Sequence, residues 1–166
     1  MKTTKEATCK VKDKDMVTTD YRQEHFGKII IIRLANILDF ETLNVIDTVS
    51  LHDEHRLNQI KNWIKSQFCH VIEVDGKVVA YGVLHYNFFN CGFIEILMVG
   101  VEGRRRGLGL ALVNYLKSIC TCSKLFTSTN QSNEPMQFLL RKAGFRESGY
   151  IENLDEDPEL VFFWKK

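Results

Sequence analysis

The stretch Arg104-Arg105-Arg106-Gly107-Leu108-Gly109 decides how this chain is read. It follows Phe93-Ile94-Glu95-Ile96-Leu97-Met98-Val99, an apolar run of strand length with one acid inside it. After it, Leu108, Ala111, Leu112, Tyr115, Leu116 and Ile119 recur at helical spacing and make one apolar face. A strand therefore feeds a basic, glycine-containing turn that opens a helix. The first amides of a helix have no partner within it, and the helix dipole is positive there. Glycines let an anion approach the backbone, and three arginines add charge. The stretch reads as a seat for phosphate groups.

The kind of phosphate ligand follows from what is missing. A P-loop ends in Gly-Lys-Ser/Thr, which is absent; the dinucleotide pattern needs a third glycine where Leu112 stands. The segment resembles the acetyl-CoA signature Arg/Gln-x-x-Gly-x-Gly/Ala of GNAT-superfamily N-acetyltransferases, with Arg104, Gly107 and Gly109 at its fixed positions. A second match lies downstream. The family's Asn-x-x-Ala-x-x-Leu/Phe-Tyr-x-Lys-x-Gly-Phe segment is similar to Asn133 through Phe145, with Asn133, Lys142, Gly144 and Phe145 in register. Met136 replaces the usual alanine and Leu140 the usual tyrosine. Local physics agrees: Asn133 suits a helix cap, Pro135 a first turn and Gly144 a helical stop. The resemblance covers the chain from about Ile29 onward.

Bulk properties fit one globular domain. The chain has 166 residues, enough for a single core, and 45% of them are hydrophobic. A net charge of +1 gives no general pull toward nucleic acid or acidic membranes. No run is long and apolar enough to span a bilayer, so no membrane association is expected. Five cysteines at irregular spacing do not form a disulfide framework, which points to a cytoplasmic setting. Residues 1–27 are a polar extension, read as weakly ordered, with an added edge element as the alternative; residues 28–166 are the acetyltransferase domain.

Within that domain, strands are expected at Lys28–Leu34, Cys69–Val74, Lys77–Asn87 and Gly92–Val99, then near 124–129, 146–152 and 160–165. Asp75-Gly76 is a two-residue hairpin turn. Helices are expected at Phe40–Val49, at Leu57–Phe68, from about Gly107 and over 134–142. This order is the one the resemblance implies: an α+β fold with a mixed, mostly antiparallel sheet of six or seven strands flanked by four helices. The resemblance further implies that the fourth and fifth of those strands splay apart, with the pantetheine arm in the gap.

The same resemblance assigns chemistry to residues. The backbone of Leu97, Met98 and Val99 would bind the pantetheine, and one of its N–H groups could polarise the thioester carbonyl. Arg104, Arg105, Arg106, Gly107, Leu108, Gly109 and Leu110 would hold the pyrophosphate, and Asn133 would contact the pantetheine or phosphate region. Glu95 is the general-base candidate. A mid-strand acid in an apolar run is costly unless it is paired or faces a cleft, and alternation puts it beside Phe93, Leu97 and Val99. Several GNAT enzymes have an acid nine residues before the motif, the spacing of Glu95 to Arg104. Leucine at 140 cannot protonate the leaving thiolate; Tyr150, Tyr86 or water are the substitutes. A thiolate with a pKa of ~8.5 leaves without strong help.

The implied activity is direct transfer of an acetyl group from acetyl-CoA to a primary amine of a small molecule or peptide, in a ternary complex. No cysteine or serine stands in a nucleophile constellation. The acceptor side would be lined by Ser50 to Arg56 and by Glu152 to Glu159; both segments are acidic and would favour a cationic amine. No metal is expected, because His52-x-x-His55 lacks further ligands. No nucleic-acid partner is expected, because the arginines have no basic, aromatic-studded stripe around them. Proteins of this fold are often homodimers. The alternative, motivated by Leu140, is a non-catalytic CoA-binding or regulatory domain. Acceptor identity, acyl-chain preference and oligomeric state are not written in the sequence.

Overall fold

The computed structural model describes residues 20–166 apart from Phe26 and Asp155. Its centre is a sheet of eight strands in the order β1-β2-β3-β4-β5-β6-β8-β7. The strands are β1 (Tyr21–His25), β2 (Lys28–Leu34), β3 (Cys69–Val74), β4 (Lys77–Phe88), β5 (Cys91–Val99), β6 (Lys124–Asn130), β7 (Arg146–Ile151) and β8 (Glu159–Lys165). Four α-helices accompany them: α1 (Phe40–Ile46), α2 (Glu54–Lys65), α3 (Leu108–Ile119) and α4 (Glu134–Lys142).

The strand count exceeds the six or seven expected, because Tyr21–His25 of the polar extension forms an antiparallel edge strand on β2. A strand on a sheet edge needs no apolar alternation to satisfy one row of backbone bonds, so composition does not announce it. Residues 1–19 of that extension lie outside the described residues. The Asp75-Gly76 hairpin is present, with both residues at positive φ as its turn requires (50° and 76°). A second two-residue hairpin, Phe89-Asn90, has φ of 49° and 58° and joins β4 to β5. Helix α2 starts three residues before its apolar face does. The Asp53 carboxylate accepts the His55 N–H at 2.8 Å and fixes the start there.

Period-two alternation divides the core between the two faces of the sheet. Ile30, Ile32, Ile72, Ala80, Leu84 and Ile94 pack beneath Leu108, Leu112, Val113 and Leu116 of α3 and Leu140 of α4. Cys69, Val71, Tyr81 and Val83 pack on the other face, against Leu43 and Ile46 of α1 and Ile60 and Ile64 of α2. All neighbouring strands are antiparallel except β5 and β6. That parallel pairing covers only Gly92–Ile94 against Leu125–Thr127. The Thr127 hydroxyl donates to the Ile94 carbonyl at 2.9 Å, and beyond that point the strands part. This is the expected splay, opening toward the end of β5 that runs into α3.

Candidate active site

The basic turn follows the end of β5 toward which the splay opens. Gly107 takes the left-handed conformation (φ 75°), and α3 begins at the next residue. The first bond within the helix runs from the Ala111 N–H to the Gly107 carbonyl, at 3.0 Å. The amides of Leu108, Gly109 and Leu110 precede it, no side chain caps them, and no acid stands in the first turn. By contrast, α2 is capped by Asp53 and α4 by Asn133, whose side chain accepts the Met136 N–H at 3.3 Å. A helix start with its donors open and its dipole uncompensated is suited to an anion.

The other residues of the turn divide their work. Arg105 and Arg106 line a cleft of about 700 Å³ shared with Lys28, Lys77, Asp75 and Glu102, so its basic residues outnumber its acidic ones. Arg104, expected to hold the cofactor, turns back: its Nε donates to the Val99 carbonyl at 3.1 Å and ties the turn to the end of β5. Gly109 serves packing. A Cβ there would lie 2.8 Å from Leu139 and within 4 Å of Val99 and Leu97, so the missing side chain lets α3 approach β5 and α4.

Glu95 sits at an irregularity of the β4–β5 ladder. Val83 pairs with Ile96 and Leu84 with Ile94, so Glu95 is the extra residue of a bulge. The bulge breaks the alternation expected from the sequence. Leu97 and Val99 pack on the α3 side and Met98 on the α1–α2 side, whereas Glu95 meets His85, which belongs with Phe68 and Phe93. Glu95 therefore does not share a face with Leu97 and Val99. Its Oε2 lies 3.0 Å from His85 Nε2, and 39% of its side chain remains open to solvent. The His85 hydrogen bond above all holds the Glu95 carboxyl below its usual range; partial burial opposes this, and the positive charge of Arg56 assists it.

A second polar group on this face was not foreseen from the sequence. The Tyr81 hydroxyl donates to Asp47 Oδ2 at 2.5 Å, and Arg56 Nε lies 3.8 Å from the same oxygen. Asp47 and Tyr81 are both fully buried. Burial and the neighbouring carboxylate raise the Tyr81 hydroxyl far above its ordinary range. Arg56 also lies over the Trp63 ring, 5.5 Å from its centroid. The only hint in sequence was period two: Tyr81, Val83 and His85 share one face of β4.

Other expected residues lie elsewhere. Tyr150, named as a substitute acid, is 65% exposed on β7, three strands from β5. The hydroxyl of Tyr86 accepts the Thr121 N–H at 3.2 Å, just past the far end of α3. Leu140 is fully buried in the α3–α4 core. Asn133 is exposed at the start of α4, with its Oδ1 engaged as the cap. The acidic segments are partly structural. Ser50 is buried and bonds the Asn44 and Asp47 carbonyls, Asp53 caps α2, and Asp157 accepts the Ser132 N–H. Asp155 lies outside the described residues. Among the described residues no group of three or more His, Cys, Asp or Glu could hold a metal ion, and no helix is long and apolar enough to cross a membrane.

Comparison with known proteins agrees with this fold. A GNAT-family acetyltransferase from Bacillus cereus shares 36% identity, with 82% of this chain and 97% of that chain covered and a TM-score of 0.77. An N-alpha-acetyltransferase of Sulfurisphaera tokodaii is 24% identical over 162 residues, 86% of this chain and 96% of that protein. The fold is also that of Arabidopsis thaliana Naa50, determined in complex with the bisubstrate analogue CoA-Ac-MVNAL (17% identity, TM-score 0.67, 82% of this chain and 99% of that chain covered). The model of the acetyltransferase (GNAT) family matches residues 33–145, and the chain belongs to that family.

Proposed function

We propose that the protein transfers an acetyl group from acetyl-CoA to a primary amine, with the α-amine of a peptide as the favoured acceptor. The observation that carries this is the pairing of an uncapped helix start with a parted strand pair and a half-open carboxylate on one strand of that pair. The amides of Leu108, Gly109 and Leu110 would take the pyrophosphate, with Arg105 and Arg106 adding charge. The backbone of Leu97, Met98 and Val99 would take the pantetheine in the gap. Glu95 would remove the amine proton as the nitrogen attacks the thioester carbonyl. The tetrahedral intermediate then collapses, the C–S bond breaks and the thiolate leaves. Support for a peptide acceptor comes from Val45, Val49 and Leu51. They expose apolar side chains at the end of α1 and in its connection to α2, where a peptide's own side chains could rest. The names of the relatives point the same way.

The burial of Leu140 favours one further reading, a domain that binds CoA without turnover, since no acid can act from that position. Thiol release from acetyl-CoA separates the two readings. Amine-dependent release with short peptides, lost when their amino terminus is blocked, supports transfer. Saturable CoA binding with no release on any amine supports the binding domain.

A further inference from the structure

The hairpin β4–β5 contains two bulges that cancel. Going from Val83↔Ile96 to Leu84↔Ile94, one extra residue enters β5 at Glu95; between His85↔Phe93 and Phe88↔Cys91, the register returns. Only the short stretch between them is slipped by one residue. The slip has two consequences. Ile94, rather than Glu95, stands opposite Leu84 in the α3-side core, so the carboxylate escapes burial under α3. At the second bulge the Asn87 N–H donates to His85 Nδ1 at 3.1 Å. A ring that accepts at Nδ1 carries its proton on Nε2, the nitrogen that faces Glu95 Oε2 at 3.0 Å. The rings of Phe68 and Phe93, with centroids 6.3 and 5.6 Å away, hold the imidazole between them.

We propose that His85 is a positioning residue for the acetyl transfer, holding Glu95 by Oε2 so that Oε1 is the oxygen that receives the acceptor's proton. The proposal rests on Glu95 being the base. Oε1 has no hydrogen-bond partner among the described residues. The charged groups acting on the pair are Glu95 itself from β5 and Arg56 from α2, the latter also drawn toward buried Asp47. In the step, the amine nitrogen forms the C–N bond and its proton passes to Oε1. The C–S bond then breaks with its electron pair on sulfur. His85 donates from Nε2 throughout, with its Nδ1 occupied by the Asn87 N–H.

The test compares His85→Phe, which keeps a ring but loses the donor, with His85→Gln, which keeps a neutral N–H donor. In His85→Phe, kcat should fall by about tenfold or more while the KM for acetyl-CoA changes less than about twofold. The Glu95 carboxyl, followed by 13C NMR, should titrate at higher pH than in the unaltered protein, because burial then acts without the hydrogen bond. His85→Gln should recover most of kcat. In a Glu95→Gln background, His85→Phe should add no further loss. Unchanged kcat and titration in His85→Phe, or equal losses in the Phe and Gln variants, would overturn the positioning role. Glu95→Gln with full activity would instead overturn the reading of Glu95 as base.

Discussion

The two faces of the sheet are built from different materials. On the α3–α4 face the groups available for chemistry are backbone amides at a helix start, framed by apolar packing. On the α1–α2 face they are side chains in pairs: His85 with Glu95, and Tyr81 with Asp47 beside Arg56. A backbone site depends on conformation, so it is recorded in glycines and in helical spacing. A side-chain site depends on which residues a register brings together, and two compensating bulges decide that here. The contrast predicts that changes on the second face cost turnover, and changes on the first cost cofactor binding or stability.

The largest effect is expected at Glu95. Glu95→Gln should reduce kcat by about 10² to 10⁴, with acetyl-CoA affinity unchanged in a direct titration. A proportionate loss of affinity would erase the division between the faces.

Next comes His70, on the α3 side of β3 and 6% exposed, its Nδ1 without a hydrogen-bond partner among the described residues and its ring 5.4 Å from that of Tyr115. Burial lowers its pKa from 6.5 to about 4. The unfolded chain takes up this proton as pH falls through 6.5, whereas the folded protein resists until about 4. Stability should therefore fall across that window, by up to about 3 kcal/mol, and stay flat above it. Urea unfolding at pH 7 and pH 4.5 measures the loss, which His70→Phe should remove. An unchanged slope in that variant would show that other groups carry it.

The smallest effect belongs to the capped helix. Asn133→Ala should cost about 1 kcal/mol of stability through loss of the α4 cap. It should leave acetyl-CoA affinity nearly unchanged if the cap is its main duty. A large loss of affinity would return Asn133 to the cofactor.

What could be read in the sequence follows the same division. The Arg104–Gly109 turn, the apolar face of α3, the Asp75-Gly76 hairpin and the order of elements are local patterns, and the structure contains them. Glu95 stood out because an acid in an apolar strand is costly. Its face was misread because alternation holds only while register holds, and the bulge is not marked by a glycine or proline. Tyr81 and His85 share a face of β4, but Asp47 follows α1 and Arg56 stands in α2, so no spacing relates them to that strand or to Glu95. Strand β1 is the edge element that the extension offers only as an alternative, because an edge strand of polar residues has no periodicity to read.

The central claim is that the open amides at the start of α3 are the seat of the cofactor's pyrophosphate. Calorimetric titration of acetyl-CoA into the unaltered protein and into Gly107→Asp tests it most directly. Aspartate tolerates the left-handed conformation better than most residues and sets a negative charge at the helix start. The account predicts saturable one-site binding to the unaltered protein, an affinity weakened by at least about tenfold in the variant, and a melting temperature that differs by only a few degrees. Equal affinity in two folded proteins would contradict it and place the pyrophosphate elsewhere.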